Sequence, residues 1–225
     1  MFYKIFIKRI IDILCSSFAI VFLSPLLIPI IIGLLLTGEH YVFYFQERIG
    51  YHNNKFNVIK FATMLKNSPN IGNGLHTTND DPRILPMGHF LRKTKINELP
   101  QLFNIFFGSM SLVGPRPLVN KTFQLYSKKV KKNINNQKPG LSGIGSIIFR
   151  NEEEILSNIK IPLEKFYQNN ISPYKGALEI WYQKNMSLYT DLMIIFLTVW
   201  VVFFPESDLA FKVFKDLPKK PDFLK

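Results

Sequence analysis

Asn97 and Glu98 stand where the chain turns from basic to apolar, in the stretch RKTKINELPQLFNIFFGSMSLVGPRP that runs from Arg92 to Pro117. Leu99, Leu102, Phe103 and Phe106 follow at helical spacing, which predicts an amphipathic helix with one apolar face. Asn97 is a favourable N-cap residue, and Pro100 is tolerated within a first helical turn. A helix starting here aims free backbone N–H groups and its positive dipole end outward beside Glu98, with Arg92, Lys93 and Lys95 close in sequence. That grouping suits a phosphate or a metal-bound diphosphate; an ordinary capped helix with a solvated basic approach fits the same letters. Downstream, the prolines of GPRP at 114 to 117 hold Gly114 and Arg116 in extended geometry. An arginine so held loses little entropy when its planar fork grips a phosphate. The plainer alternative is a stiff connector with a water-facing arginine.

The elements that position these residues begin with a long apolar segment. From Ile10 to Leu36 the only formal charge is Asp12, and as a helix the segment would be roughly 40 Å long against a hydrocarbon core of about 30 Å. Length alone predicts a spanning helix. Pro25 and Pro29 interrupt it, however, and remove backbone hydrogen bonds that lipid cannot replace. Lys4, Lys8 and Arg9 precede the segment and a strongly basic sequence follows, so the positive-inside rule keeps both ends on the cytoplasmic face. A re-entrant helix broken near Ser24-Pro25 satisfies both constraints, because each arm is then roughly 22 Å, too short to span. Asp12 is expected to pair with Lys8, and the Ser24 hydroxyl with a carbonyl freed by Pro25. The run is too long for a cleaved signal peptide, and no small-residue cleavage site follows it.

Beyond the membrane segment the chain reads as an α/β or α+β unit, mostly helical with a small β-hairpin. YVFYF at 41 to 45 and KFNVIKF at 55 to 61 flank the turn-like GYHNN at 50 to 54. Residues 67 to 80 read as a turn-rich loop, and 121 to 138, rich in lysine and free of acids, as a surface helix facing headgroups or water. Leu192 to Phe204 is too short to span, so it should lie in the interface or pack in the core. The lysine-rich sequence after Pro205 is expected to hold the membrane surface or to hang loose. The formal charge of +12 calls for an anionic partner. Aromatic residues sit in apolar runs, not among the basic ones, which favours membrane over nucleic acid. Cys15 is the one cysteine, so no internal disulfide forms. No Walker or GxGxxG loop, paired zinc spacing or nucleophile elbow occurs.

Further stretches join the first: KRIID at 8 to 12, Ser24-Pro25, FQERIG at 45 to 50, KFATM at 60 to 64, DPRI at 81 to 84, KPGLSG at 138 to 143 and NMSLYTDLMII at 185 to 195. In this order, with MSLVGPRP at 110 to 117, they resemble the bacterial sugar transferases, monotopic phosphoglycosyl transferases. The resemblance implies a re-entrant membrane helix over 1–38, a cytoplasmic catalytic domain with interfacial helices over 39–205, and a basic tail over 206–225. It implies transfer of a sugar 1-phosphate from a UDP-sugar to polyprenyl (undecaprenyl) phosphate, with release of UMP. The place of action is the cytoplasmic face of the bacterial inner membrane, amid phospholipid and downstream glycosyltransferases, in the first membrane step of glycan assembly.

Position by position, the family's aspartate nucleophile falls at Asn97 and its magnesium-binding glutamate at Glu98. The resemblance makes Mg²⁺ the expected cofactor and Lys60, Asp81, Arg83, Arg92 and Arg116 the expected substrate-phosphate contacts; Asp81 before Pro82 reads equally as a helix cap. Ala62 stands where the family usually has a basic residue. An amide is a poor nucleophile, so the covalent step does not simply carry over. Glu98 as nucleophile, direct attack by polyprenyl phosphate, an inactive relative and an engineered substitution all fit Asn97. So does a silent membrane protein that binds polyprenyl phosphate or nucleotide-sugar and recruits partners.

Overall fold

The structure, a computed structural model, describes residues 3–71, 81–157 and 162–224. Helix α1, Lys8–Leu36, contains both Pro25 and Pro29. Ser24 Oγ donates to the Val21 carbonyl at 2.7 Å. That is the acceptor left without its usual helical donor, since proline at 25 has no N–H. With this replacement α1 keeps helical geometry through the Ser24-Pro25 position.

The helix packs on the rest of the fold along its length. Arg9 donates to the Ile105 and Phe106 carbonyls at 2.6 and 2.7 Å. Asp12 Oδ1 accepts from Ser111 Oγ at 3.0 Å and Leu112 N–H at 2.9 Å. Further along, Ala19, Ile20 and Leu23 pack on the cluster of Val58, Leu102 and Ile105, and Leu27, Ile30 and Leu34 share a core with Phe61 and Leu91. The break expected near Ser24-Pro25 is not formed: α1 is one continuous helix that touches the rest of the fold from residue 9 to residue 34. Its outer face leaves Leu14, Phe18, Val21, Phe22 and Leu36 exposed, an apolar stripe suited to hydrocarbon. By length and composition α1 is long and apolar enough to cross a membrane. The expected Lys8–Asp12 pair is replaced: Lys8 bonds to Asp191 and to Tyr182 Oη, because Asp12 turns to β3, introduced below, and the buried Asp191 needs a cation.

Strands β1, Phe43–Ile49, and β2, Lys55–Phe61, form the expected antiparallel hairpin, with Phe43 opposite Phe61 and Ile49 opposite Lys55. The turn closes with Gly50 N–H on Asn54 O at 2.8 Å. Helix α2, Pro86–Lys93, leads to a single turn at Ile96–Glu98 and then to α3, Gln101–Phe107. Strand β3, Ser111–Val113, pairs in parallel with β4, Gly140–Ser142. Between them lie α4, Asn120–Gln124, and α5, Lys128–Asn135. The lysine-rich stretch is therefore two short helices, not one. The first ends at Gln124, and Ser127 caps the second by accepting from Val130 N–H.

Helices α6, Ile144–Ile148, α7, Glu152–Ser157, α8, Leu163–Phe166, α9, Ser172–Asn185, and α10, Leu188–Phe203, complete the main body. Ile144, Ile171, Leu178, Ile194 and Leu197 form its centre. Helix α10 packs in the core by one face, as one of the two expectations had it: Ile194, Leu197 and Val201 are buried, whereas Leu192, Phe196, Val199 and Phe203 are exposed. The sequence after Pro205 is not a loose tail. It forms α11, Leu209–Val213, buries Ala210, Phe214 and Leu217 in the main core, and accepts from Trp181 Nε1 on Asp216 at 2.8 Å. Its apolar residues outweigh its lysines. The turn-rich loop expected at 67 to 80 lies, from residue 72 on, outside the described residues.

Candidate functional site

Asn97 does not cap a helix. A cap at this position would serve the N–H groups two and three residues on. Leu99 N–H already bonds to Ile96 O, and Pro100 has none to give. The chain makes a tight turn from Lys95, held in the left-handed region at φ 62°, and α3 begins only at Gln101. Asn97 is 7% exposed, and its Oδ1 is buried without a hydrogen-bond partner among the described residues.

Glu98, one residue on, is where charge converges. Its Oε1 accepts from Lys60 Nζ and from Arg116 Nη2, each at 3.1 Å. Lys60 arrives from β2, at the open end of the hairpin, opposite Tyr44. Arg116 arrives from the GPRP loop, whose backbone is pressed against KPGLSG: a side chain at Gly140 would lie 2.1 Å from Gly114 N. That approach fixes the loop, and Arg48 Nη1 holds it further by donating to Pro117 O at 3.2 Å. Burial works against the Glu98 carboxylate, but Arg116 and Lys60 outweigh it and hold its pKa well below the usual carboxylate range. Burial pushes Lys60 down, with Glu98 opposing. Arg116 is shifted upward, chiefly by Glu98, while its side chain stays 48% exposed. Thus one ionised carboxylate orients two cations, of which Arg116 still faces solvent.

The other expected phosphate contacts are placed differently. Asp81 and Arg83 form a buried ion pair. Arg83 Nη1 also donates to the Ser68 and Ile71 carbonyls at 2.7 and 2.8 Å, and Asp81 Oδ1 accepts from Arg83 N–H at 3.0 Å. Hydrogen bonding from Arg83 holds the Asp81 carboxyl down to about 2. Asp81 therefore caps its own turn, not a helix, since α2 starts at Pro86. These bonds tie together the two ends of the 72–80 segment. Arg92 lies with Nη1 3.7 Å from Met64 Sδ and adds to the acidity of Asp81. Lys60, Glu98 and Arg116 thus come together, and Asp81 and Arg83 hold each other.

A cavity of about 620 Å³ opens beside this cluster. Lys95, Glu98 and Arg116 line one part of it; Arg150, Glu152, Lys175 and Glu179 line another; and Thr198, Val201 and Val202 of α10 reach it from the apolar side. Glu98 faces this space, and Asn97 is not part of the described lining. The sequence reading missed Arg48, Glu152, Lys175 and Glu179. FQERIG reads in sequence only as a family landmark, which assigns no role to its arginine. Glu179 carried a detectable signal: an acid set between Leu178, Trp181 and Tyr182, all buried.

Comparison with known proteins gives the family. The family described as bacterial sugar transferase matches residues 3–205. The undecaprenyl-phosphate galactose phosphotransferase of Salmonella typhimurium is 33% identical over 179 residues, covering 73% of this chain and 37% of that protein. The exopolysaccharide production protein ExoY of Sinorhizobium fredii is 32% identical over 207 residues, 85% of this chain and 83% of its own length. The UDP-glucose:undecaprenyl-phosphate glucose-1-phosphate transferase of Klebsiella pneumoniae is 32% identical over 205 residues, 89% of this chain and 41% of that protein. The chain thus spans about two fifths of the length of the Salmonella and Klebsiella proteins and most of ExoY. With a family match over nearly all of its residues, the chain belongs to the bacterial sugar transferase family.

Proposed function

We propose that the chain transfers a sugar 1-phosphate from a UDP-sugar to polyprenyl (undecaprenyl) phosphate at the cytoplasmic face of the bacterial inner membrane, giving polyprenyl-diphospho-sugar and UMP. The single observation that carries this is the Lys60–Glu98–Arg116 cluster at one end of a cavity whose other wall includes the apolar residues Val201 and Val202. A diphosphate donor and a lipid-borne phosphate can meet there. The names of the relatives from Salmonella and Klebsiella describe transfer to undecaprenyl phosphate, which supports the same chemistry.

The acceptor attacks directly. Asn97 offers no nucleophile. Glu98 is a weakly basic carboxylate whose Oε1 is claimed by two cations. A phosphate monoester is largely dianionic at neutral pH, so its oxygen needs no protein base. That oxygen bonds to the sugar-bearing phosphorus, the bond from this phosphorus to the bridging oxygen breaks, and the electron pair leaves on UMP. Arg116 and Lys60 draw the phosphates together and offset their charge, and Glu98 sets the direction of both side chains.

Among the described residues no group of three or more His, Cys, Asp or Glu side chains is placed to hold a metal. A magnesium ion held by one carboxylate and the substrate phosphates fits this donor set; an all-protein cage does not. Glu98, through the Oε2 that neither cation claims, would hold the ion, which when bound supplies charge neutralisation at the diphosphate.

The test is UMP release from UDP-hexoses with and without polyprenyl phosphate, together with intact-mass analysis. Expected are release only when the acceptor is present, intersecting initial-rate lines and no adduct. Release without acceptor and a phospho-sugar adduct would replace direct attack by a covalent route. No release with any UDP-hexose would leave a binding protein.

A further inference from the structure

The part of the cavity away from Glu98 holds a carboxyl that direct transfer does not use. Glu179, on α9, lines the cavity and is 6% exposed, and its Oε2 has no hydrogen-bond partner among the described residues. Leaving such a group unsatisfied costs the fold free energy. The surrounding chain accommodates it closely: a side chain at Gly145 on α6 would stand 2.9 Å from Glu179 Oε1. The nearest cation on the same helix face, Lys175, is already bound by both oxygens of Glu152 at 2.7 Å and lies over the Phe149 ring at 4.7 Å. Glu179 is thus kept from an ion pair within reach of one.

We infer that Glu179 binds the hydroxyl groups of a sugar ring of the nucleotide-sugar donor and so sets donor affinity. This rests on the donor proposed above. The chemistry follows from the surroundings. With Lys175 taken by Glu152, a second phosphate at Glu179 would meet two carboxyls, Glu152 and Glu179, against Arg150 alone. An isoprenoid chain would leave the carboxyl unsatisfied. A sugar ring offers donors and acceptors together, and its C–H face suits Phe149 and Tyr126, which line the same space. Burial pushes the carboxyl up to about 8, with Lys175 opposing, so at neutral pH it both donates and accepts. The titratable groups facing it are Lys175 and Tyr182 on its own helix and Tyr126 after α4, with Glu152 of α7 behind Lys175. Helices α6 and α10 contribute Ser146 and Thr198, which carry no charge. Two rings of the donor have this chemistry, the transferred hexose and the ribose.

The test is calorimetric binding of UDP-hexose, UDP, 2′-deoxy-UDP and inorganic pyrophosphate to the full chain in nanodiscs, for wild type, Glu179→Gln and Glu179→Leu. The leucine variant should lose about tenfold in UDP-hexose affinity, with pyrophosphate binding unchanged. The glutamine variant should stay near wild type at pH 7 and lack the fall in affinity that wild type shows as pH rises past 8. A loss confined to UDP-hexose assigns the hexose. A loss shared with UDP, and small for 2′-deoxy-UDP, assigns the ribose. Equal UDP-hexose binding by wild type and the leucine variant overturns the inference. If the leucine variant fails to fold, identical pH profiles for wild type and Glu179→Gln overturn it equally. No UDP-hexose binding by wild type removes the donor reading itself.

Discussion

At residue scale, the site is a case of one position losing charge while its neighbour gathers it. Asn97 is buried and off the cavity wall; Glu98 faces the cavity and orders Lys60 and Arg116. Glu98→Gln should therefore reduce UMP release by about 10²- to 10³-fold, since it leaves two cations facing each other without their shared anion. Asn97→Ala should stay within about threefold of wild type, measured in the same assay, because its amide supplies neither charge nor a satisfied hydrogen bond. Glu179 gives a pH effect on stability. Its folded pKa of about 8 lies above its ordinary 4.5, so the folded state keeps a proton that the unfolded chain releases. That contribution is fully present below about pH 4.5 and is lost as pH rises toward 8. Thermal unfolding should show wild type losing Tm between pH 5 and 8, and Glu179→Gln losing less. That Glu98 and Arg116 serve one site was implied by the resemblance; that their side chains pair was not legible, because spacing put Arg92, Lys93 and Lys95 nearer to Glu98. Nor was the burial of Asn97, because it depends on backbone donors already spent within the turn.

At element scale, the two ends of the resemblance meet. KRIID supplies Lys8, Arg9 and Asp12, and these bond respectively to Asp191 of α10, to the carbonyl end of α3, and to β3. Positive charge expected to set topology is also the clasp of the fold. Nothing in a one-dimensional pattern distinguishes these roles, since a lysine before an apolar helix suits both. Asp12→Ala leaves the Leu112 N–H without its acceptor, and should cost about 1–3 kcal/mol. Thermal unfolding in detergent would register this as a lower Tm, with little change in helix content. The hairpin was readable because alternation and turn residues are local signals. The division of the lysine-rich stretch before Ser127 was not legible in its charge pattern, because a run of lysines without acids reads the same with or without a capping serine inside it.

At the scale of the whole molecule, charge and apolar surface act together. With a formal charge of +12, adsorption to anionic vesicles should weaken as salt rises, by about 1 kcal/mol for each lysine or arginine released from the surface. A fraction should stay bound at high salt through the outer face of α1, and co-sedimentation with anionic and neutral vesicles would separate the two parts. The fold class was visible from composition and periodicity, but the cohesion of the molecule was not. The chain after Pro205 looked polar by its lysines, yet Phe214 and Leu217 close the main core, at contacts between residues far apart in sequence. The same holds for α1. Leu27, Ile30 and Leu34 bear on Phe61, the immediate neighbour of Lys60. A bilayer that thins, thickens or curves around α1 would therefore apply its stress one residue from the cation that pairs with Glu98, making membrane mechanics an input to the proposed transferase site.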